Sequence, residues 1–254
     1  MNRATQSTQP AARAAAGRIR IGLILVVLAS VIAGGALWAR RTATYARLLR
    51  TEPQQVLTNP DLLGVALRLG APLYQRHCTG CHGAAMHGNP RRGVPDLAAG
   101  GWLYGTNPVD VEYTIYYGIR SGHPKARNLT DMPALVRTGQ ITPQDAHDAV
   151  EYLLSLAGKD HDAAAALRGK LIYGNKGNCF DCHAHDARGV FDYGTPALTG
   201  PVYQYGGDRE TLYQSIRNGR HGQCPAWVNR LTPLQIRALS LYMLAAQRGD
   251  PARS

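Results

Sequence analysis

Acidic residues are absent from the first 51 positions of this 254-residue chain, which include eight arginines. Those arginines contribute most of the formal net charge of +11, because the rest of the chain has 20 basic and 17 acidic residues. A nucleic-acid-binding domain concentrates its basic residues in a patch or stripe on the folded surface. The distribution of charge therefore argues against nucleic acid as a partner.

Combinations of residues that form common catalytic sites are absent as well. No Ser/His/Asp order and no glycine-rich phosphate loop is present, and no paired carboxylates flank the cysteine motifs described next. The sequence therefore offers no catalytic site apart from those motifs.

Cysteine is scarce, and its odd number, five, does not suit a disulfide framework. Four cysteines form two copies of C-x-x-C-H, "CTGCH" at 78–82 and "CFDCH" at 179–183. A zinc ribbon would not place histidine directly after the second cysteine in both copies, and a thioredoxin-like motif needs a βαβ context that is missing. The spacing indicates two covalently attached c-type hemes. The predicted attachment residues and proximal iron ligands are Cys78, Cys81 and His82 in the first copy, and Cys179, Cys182 and His183 in the second.

One long apolar run is present, Ile21–Trp38, with 18 residues and no charge. This length is short for a membrane-spanning helix and long for the apolar part of a signal peptide. Cleavage after Ala36 is possible, but the terminal Trp38 and the basic residues beyond it favour an uncleaved anchor. We predict a cytoplasmic tail over 1–20, a transmembrane helix over 21–38 and a linker over 39–60.

An internal repeat covers the rest of the chain. The cysteine motifs are offset by 101 positions, whereas "GQITPQDAHDAVEYLLSL" and "NRLTPLQIRALSLYMLAA" are offset by 90, so the first copy has extra residues around Ser121–Asp131. Alignment across that insertion places Met132 opposite Cys224. Thr142 and Thr232, each followed by proline, are good N-caps for a final helix in each copy. We predict two all-α domains, 61–158 and 169–249, joined by an interdomain linker over 159–168.

Each copy resembles a class I cytochrome c domain, in which a helix before the heme motif is crossed by an aromatic C-terminal helix. The resemblance implies an all-α fold and makes the carbonyls of Pro95 and Pro196, each 13 residues after a proximal histidine, the acceptors that fix the histidine tautomers. It also implies that Met132, just before the final helix of the first copy, is the distal ligand of the first heme. His123 is the rival for that role.

The fifth cysteine, Cys224, stands at the position of a distal ligand in the second copy. It is predicted to bind the second iron as a thiolate, which would stabilise ferric iron and lower the redox potential. The alternatives are a free buried thiol with the heme five-coordinate or bound through His221, and an intermolecular disulfide.

The order of "GVPDLAAGGWLYG", "YGIRSGHPKARNLTDMPAL" and "GDRETLYQSIRNGRHGQCPAWVNRLTP" is similar to the diheme subunits of cbb-type cytochrome c oxidases, the CcoP or FixP family. Three departures are "CPAW" in place of "MPAW", "VYQYGG" in place of "WLYGG", and a minimal anchor. The resemblance implies a non-catalytic electron-transfer subunit rather than an independent enzyme. It implies transfer from a soluble cytochrome c-type donor toward a heme-copper catalytic subunit, with other oxidase subunits and the lipid bilayer as further partners.

Because bacterial c-type hemes are attached outside the cytoplasmic membrane, both domains are expected on the periplasmic side of a single-pass inner-membrane protein. Two other functions stay open. One is electron donation to another respiratory complex such as a nitric oxide reductase, and the other is a small-molecule redox enzyme or sensor that uses a His/Cys-ligated heme.

Overall fold

The computed structural model describes residues 9–249, with side chains from Leu23 onward, as two bodies divided after Arg50. The first body contains a single helix, α1, Gln9–Arg50. Its stretch Leu23–Arg50 has a mean hydropathy of 2.1 in its most apolar window, and no part of that window is buried. This stretch is long and apolar enough to cross a membrane, in agreement with the predicted span at 21–38.

Helix α1 differs from the sequence prediction at both ends. It includes residues 9–20 of the predicted tail, whose residues 1–8 lie outside the described part, and residues 39–50 of the predicted linker. No proline or glycine interrupts the chain between Trp38 and Arg50, so nothing in this stretch breaks the backbone hydrogen bonds of the helix. The first such interruption is Pro53.

The second body is helical, and its described residues contain no β-strand beyond isolated bridges. Its helices are α2 Pro53–Val56, α3 Pro60–His77, α4 Thr79–His82, α5 Pro108–Tyr117, α6 Pro143–Leu156, α7 Ala163–Leu171, α8 Phe180–His183, α9 Arg209–Asn218 and α10 Pro233–Gln247. A π-helical segment, Ile172–Lys176, continues α7. Short 3₁₀ turns form Pro90–Arg92 and Phe191–Tyr193.

The predicted helix starts at the two threonines are confirmed. Thr142 and Thr232 each form a capping box, in which the hydroxyl accepts from the amide three residues on and that residue's side chain accepts from the threonine amide. The predicted linker is shorter than expected, because Asp162 caps α7 and the helix includes residues 163–168.

The helices pair in an order that the repeat does not suggest. Helix α3, from the first copy, packs against α10, from the end of the second copy. Helix α6, from the end of the first copy, packs against α7 and α9, which belong to the second copy. Two interleaved bundles result, and each takes its crossing helix from the other half of the repeat.

We define these bundles by their residues. The split unit contains 51–119 and 224–249, and the continuous unit contains 132–220. Two segments of the chain connect these units: connector 1, residues 120–131, and connector 2, residues 221–223. The predicted domain boundaries at 158 and 169 do not coincide with the packing boundaries, because they separate α6 from α7 and join α3 to α6.

Two glycines mark the helix crossings. A Cβ atom at Gly70 of α3 would overlap the Ala238 carbonyl oxygen and the Tyr242 Cβ of α10. A Cβ atom at Gly169 of α7 would likewise overlap the Asp148 carbonyl oxygen of α6. Backbones in such close contact favour glycine, so these two positions mark the points at which the helices cross.

Alanine at Gly70 is therefore expected to destabilise the protein by about 1–3 kcal/mol, because a methyl group must be accommodated against backbone atoms. Alanine at Gly64, in the same helix, is the matched control. A Cβ atom there meets only Arg68 Nη1, at 3.5 Å. Gly64→Ala should stabilise the protein by about 0.5–1 kcal/mol through helix propensity alone. Denaturant unfolding of both variants measures the difference, and equal effects would contradict the crossing.

Carboxylates along one face of α6 connect this helix to the rest of the continuous unit. Asp148 accepts hydrogen bonds at 2.7 and 2.8 Å from Arg168 of α7. Asp145 lies 2.5 Å from Lys176 Nζ, and Glu151 lies 2.5 Å from Arg209 Nε of α9. Asp145, Asp148 and Glu151 are three positions apart and so share a helix face. These ion pairs reinforce the association of α6 with the second half of the chain.

Asp145 gives this region an acid-sensitive contact. Hydrogen bonds from Lys176 and Thr142 lower the pKa of the Asp145 carboxyl from 3.8 to about 2. A carboxyl with a lowered pKa in the folded state stabilises the protein above pH 3.8, and that stabilisation is lost as the pH falls toward 2.

Asp145→Asn should therefore lower the free energy of unfolding at pH 5 by about 1 kcal/mol, a figure reduced for partial solvent screening. It should also flatten the dependence of that free energy on pH between 4 and 2. Asp186→Asn is the control, because the Asp186–Arg188 pair is more than half exposed on both sides and should contribute almost nothing. Urea unfolding at several pH values makes the comparison, and a parallel loss in both variants would contradict the assignment.

Candidate heme sites

The first cysteine motif lies in the split unit, on the short helix α4 that follows α3. Tyr74, near the end of α3, donates a hydrogen bond from its hydroxyl to the Gly83 carbonyl at 2.7 Å and so fixes the motif against the helix. Its ring lies 5.7 Å from the ring of Tyr242 in α10. The core beneath the motif includes Met86, Trp102 and Leu239. Residues from both ends of the split unit therefore surround Cys78, Cys81 and His82.

The environment of His82 suits a metal ligand. Burial lowers the pKa of the imidazole, with partial compensation from the Pro95 carbonyl. The neutral form that binds iron is thereby favoured. Nδ1 is buried beside Pro95 without meeting hydrogen-bond geometry, and it has no other partner among the described residues.

Cys224 lies at this first site. Its amide donates to the Ile119 carbonyl and its carbonyl accepts from the Ile119 amide, both at 2.9 Å. Burial raises the pKa of the Cys224 thiol to about 11, with a further contribution from Cys81. The pKa of Cys78 is raised to about 12, first by burial and then by Cys224 and Cys81. The fifth thiol is thus a neighbour of the first pair of cysteines, and it is partly exposed.

The second cysteine motif lies in the continuous unit and repeats the same arrangement. Tyr173 donates to the Ala184 carbonyl at 2.6 Å, and its ring contacts Tyr152 of α6 with centroids 5.5 Å apart. His183 is buried, its pKa is lowered by burial, and its Nδ1 lies 3.0 Å from the Pro196 carbonyl oxygen. Burial raises the pKa of Cys179 to about 11.

A cavity of about 330 Å³ adjoins this motif. Its lining is mostly apolar and includes Cys179, Cys182, His183, Met132, Leu135 and Tyr203. The Tyr203 hydroxyl is buried without a hydrogen-bond partner among the described residues. Two thiols, an imidazole and a thioether on one apolar cavity fit a covalently attached heme, and the unpaired hydroxyl is available to a polar group of such a cofactor.

Met132 and Cys224 are held by matching backbone pairs. Met132 accepts from the Arg220 amide at 3.1 Å, as Cys224 pairs with Ile119. Gly118 and Gly219 stand before Ile119 and Arg220, with φ of 74° and 70°. A Cβ atom at either glycine would overlap the carbonyl of the opposite ligand residue. The same local arrangement, a backbone pair beside a glycine of positive φ, therefore positions each candidate distal ligand.

The structure differs from the pairing of ligands that the sequence predicted. Met132 lines the cavity of His183, and Cys224 is a neighbour of the Cys78 motif. The physical reason is the exchange of final helices, because each distal residue precedes the helix that crosses in the other half. The structure therefore places Met132 and Cys224 each at the other site from the one that the sequence predicted, and iron ligation by either residue stays a prediction.

The rival ligands are engaged elsewhere. His123 accepts the Lys125 amide at Nδ1 over 3.0 Å, and its ring lies 5.0 Å from that of Tyr117. His221 is exposed, and its Nδ1 lies 3.5 Å from Asp131.

Residues to which the sequence assigned no role join the two units. Tyr205 packs on Gly93 of the split unit, and Tyr104 packs on Gly194 of the continuous unit. Gln204 donates to the Gly93 carbonyl at 2.7 Å. The equal offset of 101 between the two tyrosines was visible in the repeat, but it gave no sign that each contacts the opposite unit.

Comparison with known families agrees with the repeat. Residues 67–157 match the family "Cytochrome c", and residues 164–243 match "Cytochrome C oxidase, cbb3-type, subunit III". Each matched segment is continuous in sequence. In the structure, however, the final helix of each segment packs against helices of the other segment.

Similar proteins include subunits named CcoP and FixP of cbb3-type cytochrome c oxidases. The chain is 34% identical to CcoP of Cereibacter sphaeroides, over 80% of its own length and 69% of the relative. It is 37% identical to CcoP of Azospirillum brasilense over 76% and 66%, and 35% identical to FixP of Bradyrhizobium sp. over 73% and 62%. The matches thus span about two thirds of the relatives' lengths. The all-α fold, the two cytochrome c domains and these similarities establish that the chain belongs to the CcoP/FixP family of cbb3-type cytochrome c oxidase subunits.

Proposed function

We propose that this chain is a membrane-anchored diheme electron carrier that passes electrons from a soluble cytochrome c-type donor toward the heme-copper catalytic subunit of a cbb3-type oxidase. The proposal is carried by one observation, the two similar sites in which a cysteine pair and a histidine with a buried Nδ1 lie near a sulfur residue. Heme c, when bound, supplies a one-electron iron couple.

The residues that would hold this cofactor are assigned as follows. In the split unit, Cys78 and Cys81 form the thioether bonds, with His82 as proximal and Cys224 as distal ligand. In the continuous unit, Cys179 and Cys182 form the bonds, with His183 as proximal and Met132 as distal ligand. The Pro196 carbonyl accepts from the His183 ring and keeps its imidazole in one orientation. The Pro95 carbonyl would take the same role for His82.

The corrected pairing gives a direction to the transfer. A cysteine thiolate favours ferric iron, whereas a methionine thioether raises the potential. Cys224 in the split unit and Met132 in the continuous unit therefore make passage from the Cys78 site to the Cys179 site the downhill direction. The donor is expected to deliver electrons to the split unit.

The anchor and partners follow from the family and the N-terminal helix. We infer that α1 spans the bacterial inner membrane once, with both heme units on the periplasmic side, where c-type hemes are attached. The relatives are oxidase subunits by name, so the catalytic subunit and the other oxidase subunits are the proposed partners.

Purification of the chain from native membranes through an affinity tag tests this function. We expect copper and additional heme to co-purify, and oxygen uptake to follow addition of a reduced soluble cytochrome c. Purification without copper, together with uptake of nitric oxide rather than oxygen, would instead support donation to a nitric oxide reductase.

A second function is favoured by Cys224 itself, which stands opposite Met132 in the repeat and is partly exposed. A site with a displaceable thiol would bind small molecules and act as a redox enzyme or sensor. Addition of carbon monoxide to the reduced protein distinguishes the two functions by absorption. An electron carrier with both distal positions filled should not respond, whereas a response confined to the split unit would support the sensor.

A further inference from the structure

Arg120 is the first residue of connector 1, and its side chain contacts both connectors. Its Nη1 donates to the Thr130 carbonyl at 2.8 Å, near the end of connector 1. Its Nε donates to the Gly222 carbonyl at 2.6 Å, in the middle of connector 2. The guanidinium group of Arg120 thus forms hydrogen bonds with both connectors.

The two acceptors stand at equivalent places relative to the candidate distal ligands. Thr130 is two residues before Met132, and Gly222 is two residues before Cys224. Arg120 also follows Ile119, whose amide and carbonyl pair with Cys224. Displacement of the Arg120 side chain would therefore remove a hydrogen bond from both ligand segments at once.

Further contacts hold the guanidinium in place. Nε lies 3.4 Å from Asp131 Oδ1, and the Arg120 side chain is only 16% exposed. The backbone of Arg120 has φ of +46°, in the left-handed region that side chains other than glycine rarely adopt. A residue held in a disfavoured conformation is generally fixed by its surroundings. Here those surroundings are the two connectors and Asp131.

We propose that Arg120 is a positioning residue that couples the distal ligands of the two hemes, so that the ligation of one heme depends on the segment that ligates the other. This inference rests on the ligand pairs of the proposed function. The coupling acts through hydrogen bonds to two backbone carbonyls, which require the forked geometry of a guanidinium group.

A different role for Arg120 makes different predictions. Arg120 lines the cavity of the continuous unit, so it could serve only as a positive charge beside a heme carboxylate there. In that case its removal would alter only the continuous-unit heme, and lysine would restore the property.

The test compares Arg120→Gln and Arg120→Lys with Arg217→Gln in the full-length mature protein. Arg217 is an exposed arginine of α9 and serves as the control. Spectroelectrochemical titration gives both midpoint potentials, and magnetic resonance gives the ligand signature of each heme. We expect both potentials to shift and both low-spin signatures to be partly lost in the glutamine and lysine variants, with no change in Arg217→Gln. If the glutamine variant does not mature, the lysine variant decides by the same measurements. A change at one heme only, or full recovery with lysine, would overturn the coupling.

Met132→Ala and Cys224→Ala belong to the same series, because they separate the coupling from the ligand assignment. If they leave both spectra unchanged, the assignment fails whatever Arg120 does. Amide hydrogen exchange then still tests the coupling, because the Arg220 and Cys224 amides donate to Met132 and Ile119. Faster exchange at both amides in Arg120→Lys supports the coupling, and faster exchange at one or neither contradicts it.

Discussion

Residues 131–220, produced without the rest of the chain, should mature into a folded cytochrome with one low-spin heme. Residues 61–158 and residues 169–249, each of which contains a complete copy of the repeat, should not. The first fragment contains α6, α7, α8 and α9 together with Met132 and His183. The other two fragments each lack the helix that crosses their heme motif.

The expected effect is large because the missing helix supplies much of the core. Helix α10 buries a run of residues in the split unit, among them Ile236, Leu239 and Leu244. Burial of each large aliphatic side chain contributes about 1.5–3 kcal/mol. Loss of the whole helix therefore removes an amount comparable with the total stability of a domain, about 5–15 kcal/mol.

Thioether bonds form at the pentapeptide itself, so attached heme alone does not report on folding. The readouts are a six-coordinate absorption spectrum and a cooperative unfolding transition. Co-production of residues 51–158 with residues 159–254 is the positive control, since the two pieces together contain every helix. A cooperative, six-coordinate cytochrome from residues 61–158 alone would rule out the exchange of helices.

Alanine at Met132 should change the heme attached to Cys179 and Cys182 and leave the other heme with its ligand. Loss of the thioether should lower the midpoint potential of that heme by a sizeable part of the roughly 0.8 V range that axial ligands span. Cys224→Ala should act on the heme at Cys78 and Cys81 instead. Its potential should change in the opposite direction from the Met132 variant, because a thiolate that favours ferric iron is removed.

The two hemes can be told apart in these variants by removing one of them. Cys78→Ala with Cys81→Ala leaves only the continuous-unit heme, and its spectrum should then respond to Met132→Ala and not to Cys224→Ala. Cys224→Met is the conservative control, which should restore a low-spin heme in the split unit with a raised potential. A response of the remaining heme to Cys224→Ala would contradict the pairing.

Local features of the fold could be predicted because each depends on a short segment. The caps at Thr142 and Thr232 need only the following few residues, and the anchor helix needs only an uncharged run. The C-x-x-C-H motifs are equally local. The family resemblance was confirmed for the same reason, since it was carried by contiguous strings.

The exchange of helices could not be predicted from the repeat, because both copies contain the same crossing residues. By sequence alone, Gly70 could pack against the helix that contains Tyr152 or the helix that contains Tyr242. The same is true of Gly169. The residues that could have indicated the answer are 157–162, the short connection between α6 and α7. Helices joined by a short loop usually pack against each other, which makes α6 the partner of α7 and leaves α10 for α3.

The placement of Cys224 near the Cys78 motif changes the redox order of the two sites that its thiol would imply. With Cys224 on the second heme, a thiolate would make that heme a low-potential endpoint after a high-potential first heme. With Cys224 in the split unit, the low-potential site precedes the high-potential site, and the proposed transfer from one to the other is downhill.

The most direct measurement is a density map of the mature protein that locates the sulfur of Met132 relative to the two irons. The expected result is a bond from Met132 to the iron of the heme attached at Cys179 and Cys182, with Cys224 beside the other iron. A bond from Met132 to the iron of the heme attached at Cys78 and Cys81 would contradict the exchange of helices between the two units.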